Sequence, residues 1–340
     1  MKGEDPVKKR IYLFCTMVIC ICIMFITFTS FTQEWQEQKS ESWKPTNDVK
    51  ILCGYNVGGS TDLFARIVAK HLSNYWGVNV IVENITGGSG AIATTKCYNS
   101  KPDGYTVFVS NGATLTQSST GAMEWRFDEF SHIAKMIDED EILCASKESG
   151  FKTLDDLIES CKNNPGERTI AVAGVGGYTY LVAHRFLAEK NLDVKIVAYD
   201  SGVEAVTAVM GGFADFCIQQ PAEVASGIES EKLVGLVIFS DEPHINKILH
   251  EIPTGLEIEA GMRAAQWRGI SGPPNMPDNV KAEWANALIA IANSEEFQKE
   301  VSDVLFARTN YLSGVDFSDY LADEYDWISS MMQTLGLVKP

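Results

Sequence analysis

Basic residues are scarce in this chain. Of its 340 residues only 28 are Lys or Arg, against 45 Asp or Glu, giving a formal net charge of −17. Nucleic-acid affinity rests on excess cations laid along phosphates. No basic run with interleaved aromatics supplies them locally, so a nucleic-acid partner is excluded. Metal-ligand spacing is also missing. Eight cysteines show no C-x-x-C pair, and five histidines stand at no ligand spacing to one another or to them. A zinc centre and a dense disulfide framework are therefore not expected. Both phosphate-cradling motifs fail: there is no G-x-x-x-x-G-K-[ST], and Thr179 stands where a G-x-G-x-x-G beginning at Gly174 needs its third glycine. No cofactor is expected. Hydrolase chemistry is thin, because Gly87-Gly88-Ser89-Gly90-Ala91 misses G-x-S-x-G at its last place. His71, His132 and His184 have no forced proximity to Ser89, which reads instead as a helix cap.

What is present is an ordinary globular composition, 45% apolar and 21% charged. The length suits two domains of roughly 150 residues each. The N-terminus is set apart: residues 11–29 carry no charge and follow Lys8, Lys9 and Arg10. As a helix this run would span about 28 Å, close to a hydrocarbon core of about 30 Å. Cations on its N-terminal side keep that end in the cytoplasm and place the rest outside. Residues 1–32 read as a signal peptide or membrane anchor and residues 33–46 as a polar tether. Three fates stay open: an uncleaved anchor, since the run exceeds the usual signal core; cleavage at Ser30-Phe31-Thr32; or lipid on Cys20 or Cys22, although Ile19 and Ile21 are bulky for that. In each case the remainder is extracytoplasmic, in the periplasm or at the outer face of the cytoplasmic membrane. Its cysteines, Cys53, Cys97, Cys144, Cys161 and Cys217, read as small buried thiols with scope for one disulfide.

The exported chain repeats strand, glycine turn, helix. Residues 49–53, 78–82 and 105–109 read as strands, with helices at 61–76 and 91–98 between them. A second set has strands at 141–146, 169–173, 195–198, 214–218 and 233–239, and helices at 154–163, 178–190 and 203–210. Residues 269–277 read as a Gly/Pro crossing, followed by helices at 278–292 and 294–305 and a helical tail that must dock on one of the two systems. The alternation predicts α/β architecture, with parallel sheets covered by helices on both faces.

Ligands of open α/β sheets sit beyond the carboxyl ends of the strands, where helix N-termini offer unpaired N–H groups and partial positive charge. Gly58-Gly59-Ser60-Thr61 and Gly174-Val175-Gly176-Gly177 open two such helices, one in each system. Facing each other across a cleft, the two turns would grip a small carboxylated molecule. Tight turns also need glycine for conformational reasons alone, so spacing does not name the ligand.

At these turns the chain resembles the extracytoplasmic solute receptors of tripartite tricarboxylate transporters, the Bug-type receptors. The likeness rests on an ordered set: G-G-x-x-D at Gly58, Gly59 and Asp62; Val82-Glu83-Asn84; Gly87-Gly88-Ser89-Gly90; Pro102-Asp103-Gly104-Tyr105; Thr153-Leu154-Asp155-Asp156-Leu157; Asn164-Pro165-Gly166; Ala173-Gly174-Val175-Gly176; Tyr199-Asp200-Ser201-Gly202; Gly211-Gly212 with Asp215; Gln266-Trp267-Arg268-Gly269; and Gly272-Pro273-Pro274. It implies a two-lobed periplasmic-binding-protein fold, a Venus flytrap of type II-like form. By that likeness residues 47–138 with 268–340 form one lobe and residues 139–267 the other. The implied job is capture of a di- or tricarboxylate or an amino acid, without catalysis, for permease subunits of such a transporter, the receptor itself being a monomer. Carried onto this chain, ligand contacts fall on Asn56, Gly58, Gly59, Thr61, Asp62, Ser110 and Asn111 in the first lobe. Those in the second fall on Gly174, Gly176, Gly177, Tyr199 and Gln219. Tyr180 departs from a histidine found in many members, and Asp200 from a lysine, so both positions are left open. Asp200 and Asp62 could repel a polyanion or meet a ligand amine. A membrane-tethered sensor for a signalling partner fits the same cleft, and an extracytoplasmic hydrolase fits it less well.

Overall fold

β-branched residues in short runs make the strands, and the glycine turns between them set where each helix starts. The computed structural model describes residues 42–256 and 262–338; the apolar N-terminal run and most of the tether lie outside the described residues. β1 (Val49–Cys53) is buried at four of five positions, as befits a strand covered on both faces. It runs parallel to β2 (Val80–Asn84) and β3 (Thr106–Asn111). Between them lie α1 (Ser60–Trp76), α2 (Ala91–Tyr98) and, after β3, α3 (Gly112–Ser119). α1 stops at Gly77, whose left-handed φ of 73° lets its N–H reach the Ser73 carbonyl.

The sheet is not wholly parallel. β4 (Ser131–Asp140) and β10 (Ala265–Gly272) enter it antiparallel, and β11 (Arg308–Ser313) closes one edge, giving the order β11-β4-β10-β3-β1-β2. Strands that arrive from distant chain need no crossover helix and are free to run antiparallel. Gly269 and Gly272, expected in a Gly/Pro crossing, stand inside β10. At Gly269 a Cβ would meet the Ala134 carbonyl oxygen at 2.3 Å, so the close approach to β4 requires glycine.

The second sheet has the order β7 (Lys195–Tyr199), β6 (Thr169–Ala173), β8 (Phe216–Gln219), β5 (Ile142–Ser146) and β9 (Leu233–Ile238). β6 is parallel to β7 and β8, while β5 is antiparallel to β8 and β9. α4 (Leu154–Asn163) opens on a capping box between Thr153 and Asp156. α5 (Tyr178–Lys190), α6 (Gly202–Met210) and α7 (Pro221–Glu229) complete this lobe. One buried cluster gathers Phe186, Phe216 and Phe239, and another gathers Val209, Cys217 and Val224.

β4 ends at Asp140 and β5 starts at Ile142, so a single residue, Glu141, carries the chain between sheets. The return crossing is bonded to it: Glu141 N–H donates to the Ala264 carbonyl and Phe239 N–H to the Glu141 carbonyl, both at 2.9 Å. After β10 come α8 (Asp278–Ala292), α9 (Glu295–Glu300) and, beyond β11, α10 (Gly314–Thr334). Trp284 of α8 stacks edge-on to Trp76 of α1 at 4.8 Å and donates to the Gly104 carbonyl. The tail does not dock on one sheet alone. α10 packs Phe317, Leu321 and Ile328 against Leu115 and Trp267 of the first lobe and Leu181 of the second. Cys53, Cys97, Cys144, Cys161 and Cys217 are all buried and free, with Cys144 opposite Cys217 across β5 and β8. Among the described residues no helix is long and apolar enough to cross a membrane.

Candidate ligand-binding site

Five helices begin at one place. A cavity of about 30 Å³ between the lobes is lined by Gly59, Ser60 and Thr61 at the start of α1, Asn111 before α3, Gly177 to Thr179 at the start of α5, Ser201 and Gly202 at α6, and Gln220 and Glu223 at α7. Each helix follows a strand whose carboxyl end turns into the cleft, which is where open α/β sheets bind. Their N-termini differ in one respect. Asn111 caps α3 by accepting from Ala113 N–H, and Ser201 caps α6 by accepting from Glu204 N–H. Gly59, Gly177 and Gln220, which precede α1, α5 and α7, offer no side-chain cap. Glycine at two of these positions removes the side chain that would otherwise fill the anion seat. At Gly177 glycine is also required sterically, since a Cβ would meet the Ala173 carbonyl oxygen at 2.3 Å.

Of the residues expected at the site, Asn56, Gly59, Thr61, Asn111 and Gly177 line this cavity. Gly58 stands outside it, exposed, with its N–H on the Asp62 carboxylate at 2.9 Å. Asp62 is buried and held by Arg66, Gly58 and Asn84. Burial pushes its carboxyl up, but these hydrogen bonds outweigh that and hold it below the usual range. Ser110 accepts from Ser271 behind the wall. Gly174 N–H is taken by the Tyr199 carbonyl at 2.8 Å, and Gly176 meets open space. Gln219 is fully buried beneath the cavity floor, whereas its neighbour Gln220 lines it. The two open positions also sit elsewhere. Tyr180 packs its ring on His184 at 4.5 Å and borders an outer groove of about 550 Å³. Asp200 lines the outer cleft mouth with Glu204.

Two charged residues outside the expected contact set, Arg268 and Glu223, stand on the wall. Arg268 of β10 is buried and paired with the fully buried Glu139, and its Nε donates to Thr61 Oγ1 at 3.3 Å. Ser60 Oγ donates to the same Glu139. Burial lowers the Arg268 guanidinium to about 10. Glu223 reaches across from α7 and accepts the Ser60 N–H at 3.3 Å. Burial raises its carboxyl to about 7, with the Ser60 N–H pulling the other way. Behind it, Gln220 Nε2 donates to Glu141 at 2.7 Å, and burial lifts that carboxyl to about 8. Arg268 was visible in the Gln266-Trp267-Arg268-Gly269 motif; nothing in the sequence pattern singled out Glu223.

Among the described residues three further side-chain bonds join the lobes: Asn56 Nδ2 to Glu204 Oε1 at 3.1 Å, Ser89 Oγ to the Val175 carbonyl at 3.4 Å and His244 Nε2 to the Phe306 carbonyl at 2.7 Å. Ser89 is therefore a cleft contact. Each described histidine bonds or packs with another partner: Glu300 at His71, Ser271 at His132, Tyr180 at His184, Phe306 at His244 and the His244 carbonyl at His250.

The pattern of the tripartite tricarboxylate transporter family receptor, TctC, matches residues 64–337. The chain belongs to this family. The protein BugT of Bordetella pertussis is 26% identical over 305 residues, covering 87% of this chain and 91% of its own. Among solved structures, R. palustris Rpa4515 with adipate superposes with a TM-score of 0.81 at 20% identity, over 86% of this chain and 98% of that one. MatC from Rhodopseudomonas palustris with bound malate gives 0.74 at 21% identity, over 84% and 99%. The two-lobed periplasmic-binding-protein fold is common to them. The receptor is an extracytoplasmic solute-binding protein and not an enzyme.

Proposed function

We propose that this receptor captures a small organic carboxylate between its lobes and delivers it to the permease of a tripartite tricarboxylate transporter. The observation that carries this reading is the convergence of five helix N-termini, three without a side-chain cap, on one enclosed cavity. Such ends attract anions through oriented N–H groups and need no basic side chain. The similar structures that hold adipate and malate are in keeping with it. A cavity of about 30 Å³ holds about two waters, so a ligand enters only when the lobes part. The lobes, expected to divide at residues 138/139 and 267/268, divide instead where the chain crosses between the sheets, at Glu141 and Ala264, and they turn about these paired crossings to close on the solute. The closed face is what a permease would recognise. The apolar run at residues 11–29 directs the protein to the outer side of the membrane.

The test is thermal unfolding with a panel of di- and tricarboxylates and amino acids. A ligand at roughly 100 times its Kd contributes about 2.7 kcal/mol and raises the Tm by several degrees. A panel that leaves the Tm unmoved at millimolar concentration overturns the reading.

A further inference from the structure

Arg268 is the one Lys or Arg on the cavity wall among the described residues, and its charge is already met by Glu139. No cation is left over for a ligand carboxylate, which must rely on the helix ends. The cavity instead holds a surplus carboxylate. Glu223 Oε1 accepts the Ser60 N–H at the start of α1, the seat a ligand carboxylate would take. Its other oxygen, Oε2, is buried and has no partner among the described residues. That oxygen lies 2.0 Å from where a Cβ on Gly202 would stand, and the side-chain amide oxygen of Gln219, Oε1, lies 2.7 Å from the same point. The Gln219 amide beside it is also unpartnered among the described residues, at both Oε1 and Nε2. Glu141, behind Gln220, adds a further buried carboxylate with no cation bonded to it among the described residues.

From this geometry we infer that Glu223 is a specificity-determining residue, selecting a ligand that carries an ammonium beside its carboxylate, an α-amino acid, over the same acid without the amine. The inference rests on the carboxylate-capture reading above. When a ligand carboxylate takes the Ser60 N–H, Glu223 loses its donor and becomes a buried, unpaired acceptor, which is costly. An ammonium on the adjacent carbon brings three donors to that place and balances the charge. A plain dicarboxylate brings a second negative charge instead.

The test is isothermal titration of the full-length protein in detergent, using each common α-amino acid against the acid of the same skeleton lacking the amine, such as aspartate against succinate. Wild type is expected to bind at least one amino acid tenfold or more tightly than its amine-free counterpart. Glu223→Gln should lose at least tenfold of that preference, and Glu223→Asp, which keeps the charge, should retain it. Equal wild-type affinity for the two members of each pair overturns the inference. So does a Glu223→Gln variant that shifts both members equally, because Glu223 would then be a mere competitor for the seat. Binding of neither kind of acid by wild type instead overturns the receptor reading, and the inference with it.

Discussion

Glu141 shows how much a single residue at the crossing controls. It is fully buried, accepts from Gln220 and has no cation bonded to it among the described residues, so burial holds its carboxyl near 8. A carboxyl raised in the folded state binds its proton more tightly there than in the unfolded chain. Its contribution to stability is therefore complete below the unfolded value of about 4.5 and is lost as pH rises through about 8. Glu223, raised to about 7, acts in the same direction. His132, which burial lowers to about 4, acts oppositely but only below about pH 6.5. Wild type should lose several degrees of Tm between about pH 6.5 and 8, and Glu141→Gln, which keeps the Gln220 bond, should lose less. Equal losses in the two proteins would show that Glu141 does not carry the effect. At this scale the site was legible in part. Gly59, Thr61 and Gly177 follow from their turns, because the turn and the helix end it opens are local. Arg268 and Glu223 come from remote segments, and only the fold brings them to Ser60.

The start of α1 is the element on which anion binding depends. Gly59 has φ −74° and ψ 162°, open to any residue, and a Cβ there would come no nearer than 3.4 Å to other atoms. A Cβ alone fits, but Gly59 is buried and the γ-carbons of Gly59→Val would press on Glu223 and Val203 across the cleft, so this variant should fold with a loss of about 1–3 kcal/mol. Its branched side chain would stand before the Ser60 N–H, and carboxylate affinity should fall by about a hundredfold, on the order of 2.7 kcal/mol. Calorimetric titration beside a denaturation curve separates the two effects, and unchanged affinity would remove this turn from the site. The same element shows why local reading works. Helices at 91–98, 154–163 and 178–190 stand where glycine turns and apolar spacing put them. β4, β10 and β11 escaped notice because their pairing is settled between segments more than a hundred residues apart. α3 escaped because its sequence, GATLTQSS, is mostly small or polar, although it is wholly buried.

For the whole molecule, function follows from two sheets joined by hydrogen-bonded crossings and bridged by α10. Among the described residues four side-chain hydrogen bonds join the lobes: Ser60 N–H to Glu223, Asn56 to Glu204, Ser89 to the Val175 carbonyl and His244 to the Phe306 carbonyl. The two exposed bonds, Asn56 to Glu204 and Ser89 to Val175, are worth about 1 kcal/mol or less each, so a bound solute shifts the balance between open and closed lobes. The central claim is that uncapped helix ends from both lobes share one carboxylated solute. A crystal structure of the receptor with its solute bound tests it most directly. The account predicts a carboxylate within hydrogen-bond distance of the Ser60 N–H and of the N–H groups that open α5, with Glu223 turned away from Ser60. A solute seated in the outer groove beside Tyr180, or one leaving the Ser60 N–H on Glu223, would contradict it.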